Sequence, residues 1–423
     1  MHILIIPSEE YVPSHNPIAG IFQHHQAKII QAHGHQVGAL SFTFKHSYLS
    51  LLKSVVGITN KHTRKISYLQ RIALLLKKTF APYQHTLLID VVEGINVVRC
   101  DGFWGSKKTS LPLSKLEIWQ AYFPKALNHY IEKYGKPDII HAHNMMYAGL
   151  VSLEIQNTTN IPVVVTEHST EYAVEEIHPQ LHHKLEEAFK KYNSIYAVSP
   201  KLIELLYEKF VIPTQMKIGW LPNVLDTKIE DAPFHSPVKN ENVVRFLNIA
   251  NLIKVKGQSD LIRCFKKAFN NIDNVELIIA GKGVLDQALK KLVIELDLQN
   301  KVKLIGQIDR EQVVKQIDRC DVFVLPSHYE TFGVVLIEAL SRGVPVIATR
   351  CDGPECIVNE ENGILTPLYD MESLSEALIE MYHQYPKYPK ERLRNYCLSL
   401  YGKEAFYKNV MAIYHQHTKL EKA

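Results

Sequence analysis

The chain predicts an α/β protein made of two Rossmann-like domains, and three observations point there. Short apolar runs of the buried-strand type alternate with helical stretches along the whole chain. Several of these runs end in polar residues or glycines, where open parallel sheets gather their sites. At 423 residues the chain is also too long for one ordinary core.

The first domain is expected over residues 1–230. Ile3 to Pro7 reads as a strand, Ile18 to His33 as a helix, and His35 to Phe44, after Gly34, as the next strand. Between the first strand and the helix lies a loop with Pro17 and Gly20 directly ahead of Phe22. Leu87 to Val92 and Ile95 to Cys100 read as strands and Leu116 to Tyr134 as a helix. Pro137 to His143 and Ile161 to Ser169 are strands with polar carboxyl ends, His141-Ala142-His143 and Thr166-Glu167-His168. Asn193 to Ser199 is a further strand and Pro200 to Phe210 a helix, followed by Ile218 to Asp226. Residues 231–242 are polar and hold Pro233 and Pro237, as a linker would.

The second domain is expected over residues 243–400. Val243 to Ala250 opens it as a strand, the loop Asn251 to Gly257 follows, and Ser259 to Phe269 is a helix. Leu277 to Gly281 and Val302 to Gly306 read as strands, Leu285 to Leu296 and Gln312 to Arg319 as helices. The apolar run Val322 to Leu325 then leads into the most informative stretch, Pro326 to Val358. It holds a polar loop to Thr331, a helix entered through Phe332-Gly333-Val334, a buried strand Val344 to Ala348, and a glycine loop from Cys351 to Glu355. Strand, loop, helix N-terminus, strand and glycine loop make one edge of a nucleotide site. Residues 401–423 form a last helix with apolar periodicity.

Glu330 and Glu338 stand eight residues apart, with seven between them, inside S-x-x-E-T-F-G-V-V-x-x-E-A-x-x-x-G-x-P-V-I-A-T. This resembles the donor-site signature of retaining glycosyltransferases of family 4, which have the GT-B architecture. The resemblance implies two Rossmann-like domains with the donor site in the cleft between them, and a last helix that crosses back to the first domain. It implies that Glu330 faces the hydroxyls of the donor sugar and Glu338 the ribose diol. Lys256 ahead of Gly257 is similar to the family's phosphate-binding K-G. Most members carry an arginine five residues before that lysine, and here Asn251 holds the place. The loop with Gly20 resembles the family's P-x-x-G-x-F loop beside acceptor and donor phosphates, and His168 matches the histidine that commonly faces the transferred sugar.

The chemistry agrees with such a ligand. Phosphates need cations and free backbone N–H groups, which Lys256 and the helix entry at Phe332, Gly333 and Val334 supply. A ribose diol suits a carboxylate that accepts from both hydroxyls. The catalytic set is expected to be His168, Glu330 and Lys256. The donor-binding set is Asn251, Lys256, Glu330, Phe332, Gly333, Val334 and Glu338. No D-x-D motif follows a strand, so no metal and no cofactor is expected. The partners are a UDP-, GDP- or ADP-sugar donor and a glycan or lipid-linked acceptor. Two alternatives stay open, a nucleotide-sugar binder without transferase activity and a GT-B nucleotide-sugar epimerase. A dinucleotide dehydrogenase is disfavoured, since no G-x-G-x-x-G follows the first strand.

The composition, 46% hydrophobic and 22% charged, is that of a soluble globular protein, and no apolar run is long enough to span a membrane. Ile3 to Pro7 reads as a buried strand and not as the core of a signal segment. The six scattered cysteines are expected to be reduced thiols in a cytoplasmic protein. Net charge is only +4, and no nucleic-acid partner is expected. Residues 11–89 nonetheless contain no Asp or Glu, and 47–80 combine apolar helical periodicity with flanking cations, among them Lys77 and Lys78. That pattern reads either as a patch for an anionic membrane surface or as helices packed on their own domain with solvated lysines.

Overall fold

The computed structural model describes residues 1–13, 20–45, 86–103, 112–174, 177–234 and 243–420. The basic amphipathic stretch 47–80 lies outside these residues, as do Pro17 and residues 235–242 of the expected linker. The chain divides into two compact units. The first comprises residues 1–196, 206–219 and 411–423; the second comprises 197–205 and 220–410.

The first unit is built on a sheet of eight strands: β1 (His2–Ile6), β2 (Gln36–Lys45), β3 (Thr86–Val92), β4 (Ile95–Phe103), β5 (Ile139–His143), β6 (Val163–Glu167), β7 (Ile195–Ala197) and β8 (Gly219–Trp220). Their order is β3-β4-β2-β1-β5-β6-β7-β8, with β4, β2, β1, β5 and β6 parallel. Strands β1, β5 and β6 are buried along their full length, which is why they read as continuous apolar runs. The helices are α1 (Ile21–Ala32), α2 (Pro112–Tyr134), α3 (Leu150–Thr159), a short turn α4 (Glu171–Val174), α5 (Pro179–Lys191) and α6 (Pro200–Lys209), of which α6 belongs to the second unit up to Leu205.

Two details of strand pairing go beyond the sequence reading. Strands β3 and β4 pair antiparallel across a two-residue turn, Glu93-Gly94, with both residues at positive φ. The segment Ile218 to Asp226 holds strand pairing only at Gly219–Trp220, because Pro222 and the loop after it leave the ladder.

The second unit starts with the turn α7 (Thr227–Glu230) and then a six-stranded sheet: β9 (Val244–Ile249), β10 (Val275–Ala280), β11 (Val302–Gly306), β12 (Val322–Leu325), β13 (Val346–Thr349) and β14 (Gly363–Thr366). The order is β11-β10-β9-β12-β13-β14, and every pair is parallel. Helices α8 (Gln258–Ala268), α9 (Asp286–Glu295), α10 (Arg310–Arg319), α11 (Val334–Ser341), α12 (Met371–Gln384), α13 (Lys390–Tyr401) and α14 (Lys403–Leu420) complete the fold. A cluster around Phe246, Phe265 and Phe269 fills one face of this sheet. The last residues of α14 belong to the first unit, where the Tyr414 hydroxyl and His141 Nδ1 lie 2.7 Å apart.

Candidate functional site

In the second sheet the strand order reverses between β9 and β12, so the loops leaving the carboxyl ends of these strands run side by side. One is Ala250 to Gly257, the other Pro326 to Gly333. The His328 N–H donates to the Val255 carbonyl at 2.7 Å and fastens them. Gly257 has φ +67°, and a Cβ there would run into the carbonyl oxygen of Pro326; only glycine allows the approach. The junction brings Lys256 Nζ to Glu330 Oε1 at 2.6 Å, and the Ser327 hydroxyl donates to the same oxygen at 2.7 Å. The two charged side chains keep some exposure, 22% for Lys256 and 13% for Glu330.

The glycine loop after β13 closes around this pair. The Glu330 N–H donates to the Cys351 carbonyl at 3.2 Å, and the Gly353 N–H donates to the Glu330 carbonyl at 2.8 Å. The Thr349 hydroxyl donates to the Ser327 carbonyl. Phe332 is buried edge-on against Tyr401, with ring centroids 5.6 Å apart. Gly333 at φ +98° turns the chain into α11, whose first residues Val334 and Val335 are half-buried. Helix N-termini carry N–H groups without intrahelical partners and a positive dipole end, so this entry suits an anion. Asn251 and Lys254 are exposed, and the Asn251 carbonyl accepts from Gln258 Nε2 at 3.0 Å.

Glu338 lies within α11 and is 2% exposed. Its Oε1 accepts from Arg310 Nη1 at 2.8 Å, and Arg310 Nε lies 3.0 Å from Oδ2 of Asp226, itself 2% exposed. Burial pushes the Glu338 carboxyl up, Arg310 pulls it down, and the second carboxylate pushes it up again. Arg310 opens α10 directly after Asp309, which forms a capping box with Gln312.

In the first unit the order reverses between β1 and β5. Gly20 precedes α1, with its N–H on Glu9 Oε1 at 3.1 Å. His168 follows β6, and its N–H donates to Glu167 Oε1 at 2.8 Å and to Asn144 Oδ1 at 3.0 Å. Its Nε2 is 3.0 Å from Nδ1 of the fully buried His143, whose ring stacks on His141. Glu167, also buried, accepts from the N–H groups of Met145 and Ser169 and from the Tyr172 hydroxyl. Desolvation raises its pKa, and these donors act against that.

Two family patterns match this chain back to back: one described as Glycosyltransferase Family 4 over residues 97–229, the other as Glycosyl transferases group 1 over residues 230–396. The chain belongs to this glycosyltransferase family. Its fold is the GT-B fold, shared with sucrose-phosphate synthase from Thermosynechococcus elongatus (TM-score 0.66, 18% identity, 98% of this chain and 99% of that one). It is equally similar to the catalytic domain of starch synthase IV from Arabidopsis thaliana bound to ADP and acarbose (TM-score 0.68, 14% identity, 99% of both chains). Among curated proteins, N-acetyl-alpha-D-glucosaminyl L-malate synthase of Bacillus anthracis is 26% identical over 58% of this chain and 65% of its own length. Glycogen synthase of Mycobacterium tuberculosis is 26% identical over 57% and 59%. The matched stretch thus spans under two thirds of these curated relatives.

Of the residues singled out in the sequence, Lys256 and Glu330 meet directly, and Phe332, Gly333 and Val334 form the helix entry beside them. Glu338 is held by Arg310, and Asn251 turns its side of the loop to solvent. His168 and Gly20 lie in the first unit and are described there. Arg310 lies outside every stretch that the sequence marks, whereas Ser327, Asp226, His143 and Glu167 stand inside marked stretches with no role given to them. For Arg310 one signal existed: a glutamate on an apolar helix face requires a cation or donors when buried. Spacing could not say which cation. Among the described residues, no three His, Cys, Asp or Glu side chains gather as a metal site.

Proposed function

We propose that this chain is a retaining glycosyltransferase that moves a hexose-type sugar from a UDP-, GDP- or ADP-sugar to a surface-polysaccharide, lipid-linked or other glycan acceptor. The observation that carries the proposal is the Lys256–Glu330 pair beside the entry of α11. A cation, a carboxylate and a free helix N-terminus within one junction match a diphosphate attached to a sugar. Lys256 leaves Glu330 for the phosphates, and Glu330 then accepts from the sugar hydroxyls. Charge that develops on the leaving diphosphate falls to Lys256 and the helix dipole, with no metal in the scheme. Attack comes from the front face of the sugar, the departing phosphate taking the acceptor proton. The names of similar proteins support a nucleotide-sugar donor: glycogen synthase, and a neighbour of Anabaena solved with UDP and glucose.

The test offers purified protein a panel of UDP-, GDP- and ADP-sugars, with and without lipid extract, and follows release of the nucleoside diphosphate. Release with one donor, stimulated by acceptor, is the expected result. The exposed Asn251, where the family carries a cation, favours a second reading as a silent binder. Nucleotide binding without hydrolysis or transfer from any donor would establish that reading instead.

A further inference from the structure

We propose that Arg310 is the positioning residue of the donor site: bridged to Asp226, its guanidinium holds the Glu338 carboxylate ready for the ribose diol of the nucleotide. This role holds only together with the donor function proposed above. The guanidinium is a rigid planar fork, and here its Nε and Nη1 serve two different carboxylates. Both carboxylates are 2% exposed in their side chains, against 35% for Arg310, so one cation with an open edge serves two buried anions.

Removing that cation leaves two like charges close together in a poorly solvated place, and one of them takes a proton. A protonated carboxyl has one oxygen committed as a donor, so it no longer accepts from both hydroxyls of a diol. Arg310 therefore keeps Glu338 an acceptor on both oxygens. Other charged groups around α11 are engaged elsewhere. Arg342 pairs with Asp318 at 2.7 Å, while Arg394 and Cys397 of α13 donate to the carbonyls of Ser341 and Ile337. Strands β12 and β13, packed on the same helix, carry no titratable side chain. The ionisation of Glu338 thus depends on Arg310 and Asp226.

Calorimetric titration of UDP, GDP and ADP into the full chain between pH 6 and 9 tests this, with the tightest of the three carried through the variants. Wild type is expected to bind with a flat pH profile. Arg310→Gln is expected to bind about ten- to a hundredfold more weakly near neutral pH, with the loss shrinking as pH rises and Glu338 ionises. Arg310→Lys should recover part of the affinity. Adding Asp226→Asn to Arg310→Gln should flatten the profile, since it removes the like charge while an asparagine still caps α7. Wild-type affinity of Arg310→Gln at every pH, or a loss that is equal at every pH and not relieved by lysine, overturns the role. If Arg310→Gln does not fold, Arg310→Lys alone decides: weaker binding with a flat profile supports the role, unchanged binding overturns it. Glu338→Ala separates the two levels. If it binds as tightly as wild type, or if none of the three nucleotides binds, the donor function itself fails.

Discussion

Lys256 and Glu330 pair 2.6 Å apart and both keep some exposure, so an incoming ligand can reach either partner. That suits the exchange of partners proposed above for these two groups. Lys256→Ala and Glu330→Ala are each expected to lower kcat/KM by about 10²–10³-fold with only a small change in melting temperature. A variant with full rate removes that residue from the site. Gly257→Ala should behave differently. The αL conformation costs a non-glycine residue about 1–2 kcal/mol, and the added Cβ meets the Pro326 carbonyl. Both the melting temperature and the rate should fall, because the β9 and β12 loops are pushed apart. A variant that melts like wild type and keeps its rate would contradict the close packing of these loops.

Elements in the second unit are placed by local devices that sequence shows and by pairings that it hides. Helix α10 begins at a capping box, Asp309 with Gln312, and carries Arg310 at its first position. Asp309→Ala is expected to cost about 1 kcal/mol of stability. Fraying of that first turn should also weaken nucleotide binding in the same direction as Arg310→Lys, measured on the same calorimeter. Loss of stability without any loss of affinity would show that Arg310 does not depend on the cap. In the first unit the hairpin β3–β4 turns at Glu93-Gly94 and adds an antiparallel edge to a parallel sheet. Glu93 is not a residue type that favours positive φ, so the sequence shows two strands flanking Gly94 but not their pairing.

Across the whole molecule the acid response is expected to differ between the units. Burial lowers the pKa of His141 to about 3 and takes His143 well below its ordinary value; it also lowers His2 and His417. An unfolded histidine titrates near 6.5, so between about 6.5 and 3 the unfolded chain binds protons that folded His141 does not. The stability of the first unit is therefore present above that window and is lost as pH falls through it. The opening constant should rise by about tenfold per pH unit for each such histidine. Glu167, raised by burial, holds its proton more tightly when folded and opposes part of the loss at the acid end. In the second unit burial raises Glu230 and Glu338, which works in the stabilising direction as pH falls. Hydrogen exchange at pH 7.5 and 5.5 should show protection lost first in β5 and β6. Equal loss in β9 and β12 would count against the buried histidines as the cause.

Most strands, several helices and the reversal-point loops could be read from local periodicity, because a buried parallel strand must be apolar along its length and a helix entry needs its glycine. Lys256, Gly257, Glu330 and Gly333 were recognisable through their resemblance to a family signature, which residue type and spacing carry together. The partners of Glu338 were not readable. Asp226 lies before α7 and Arg310 at the start of α10, and no periodicity links them to a residue inside α11. The neighbour of His168 likewise comes from another strand, β5, through a 3.0 Å contact between rings. Pairings of this kind depend on which loops the sheet order sets side by side, and on which charges burial leaves without water. Those are properties of the packed chain and not of any one stretch of it.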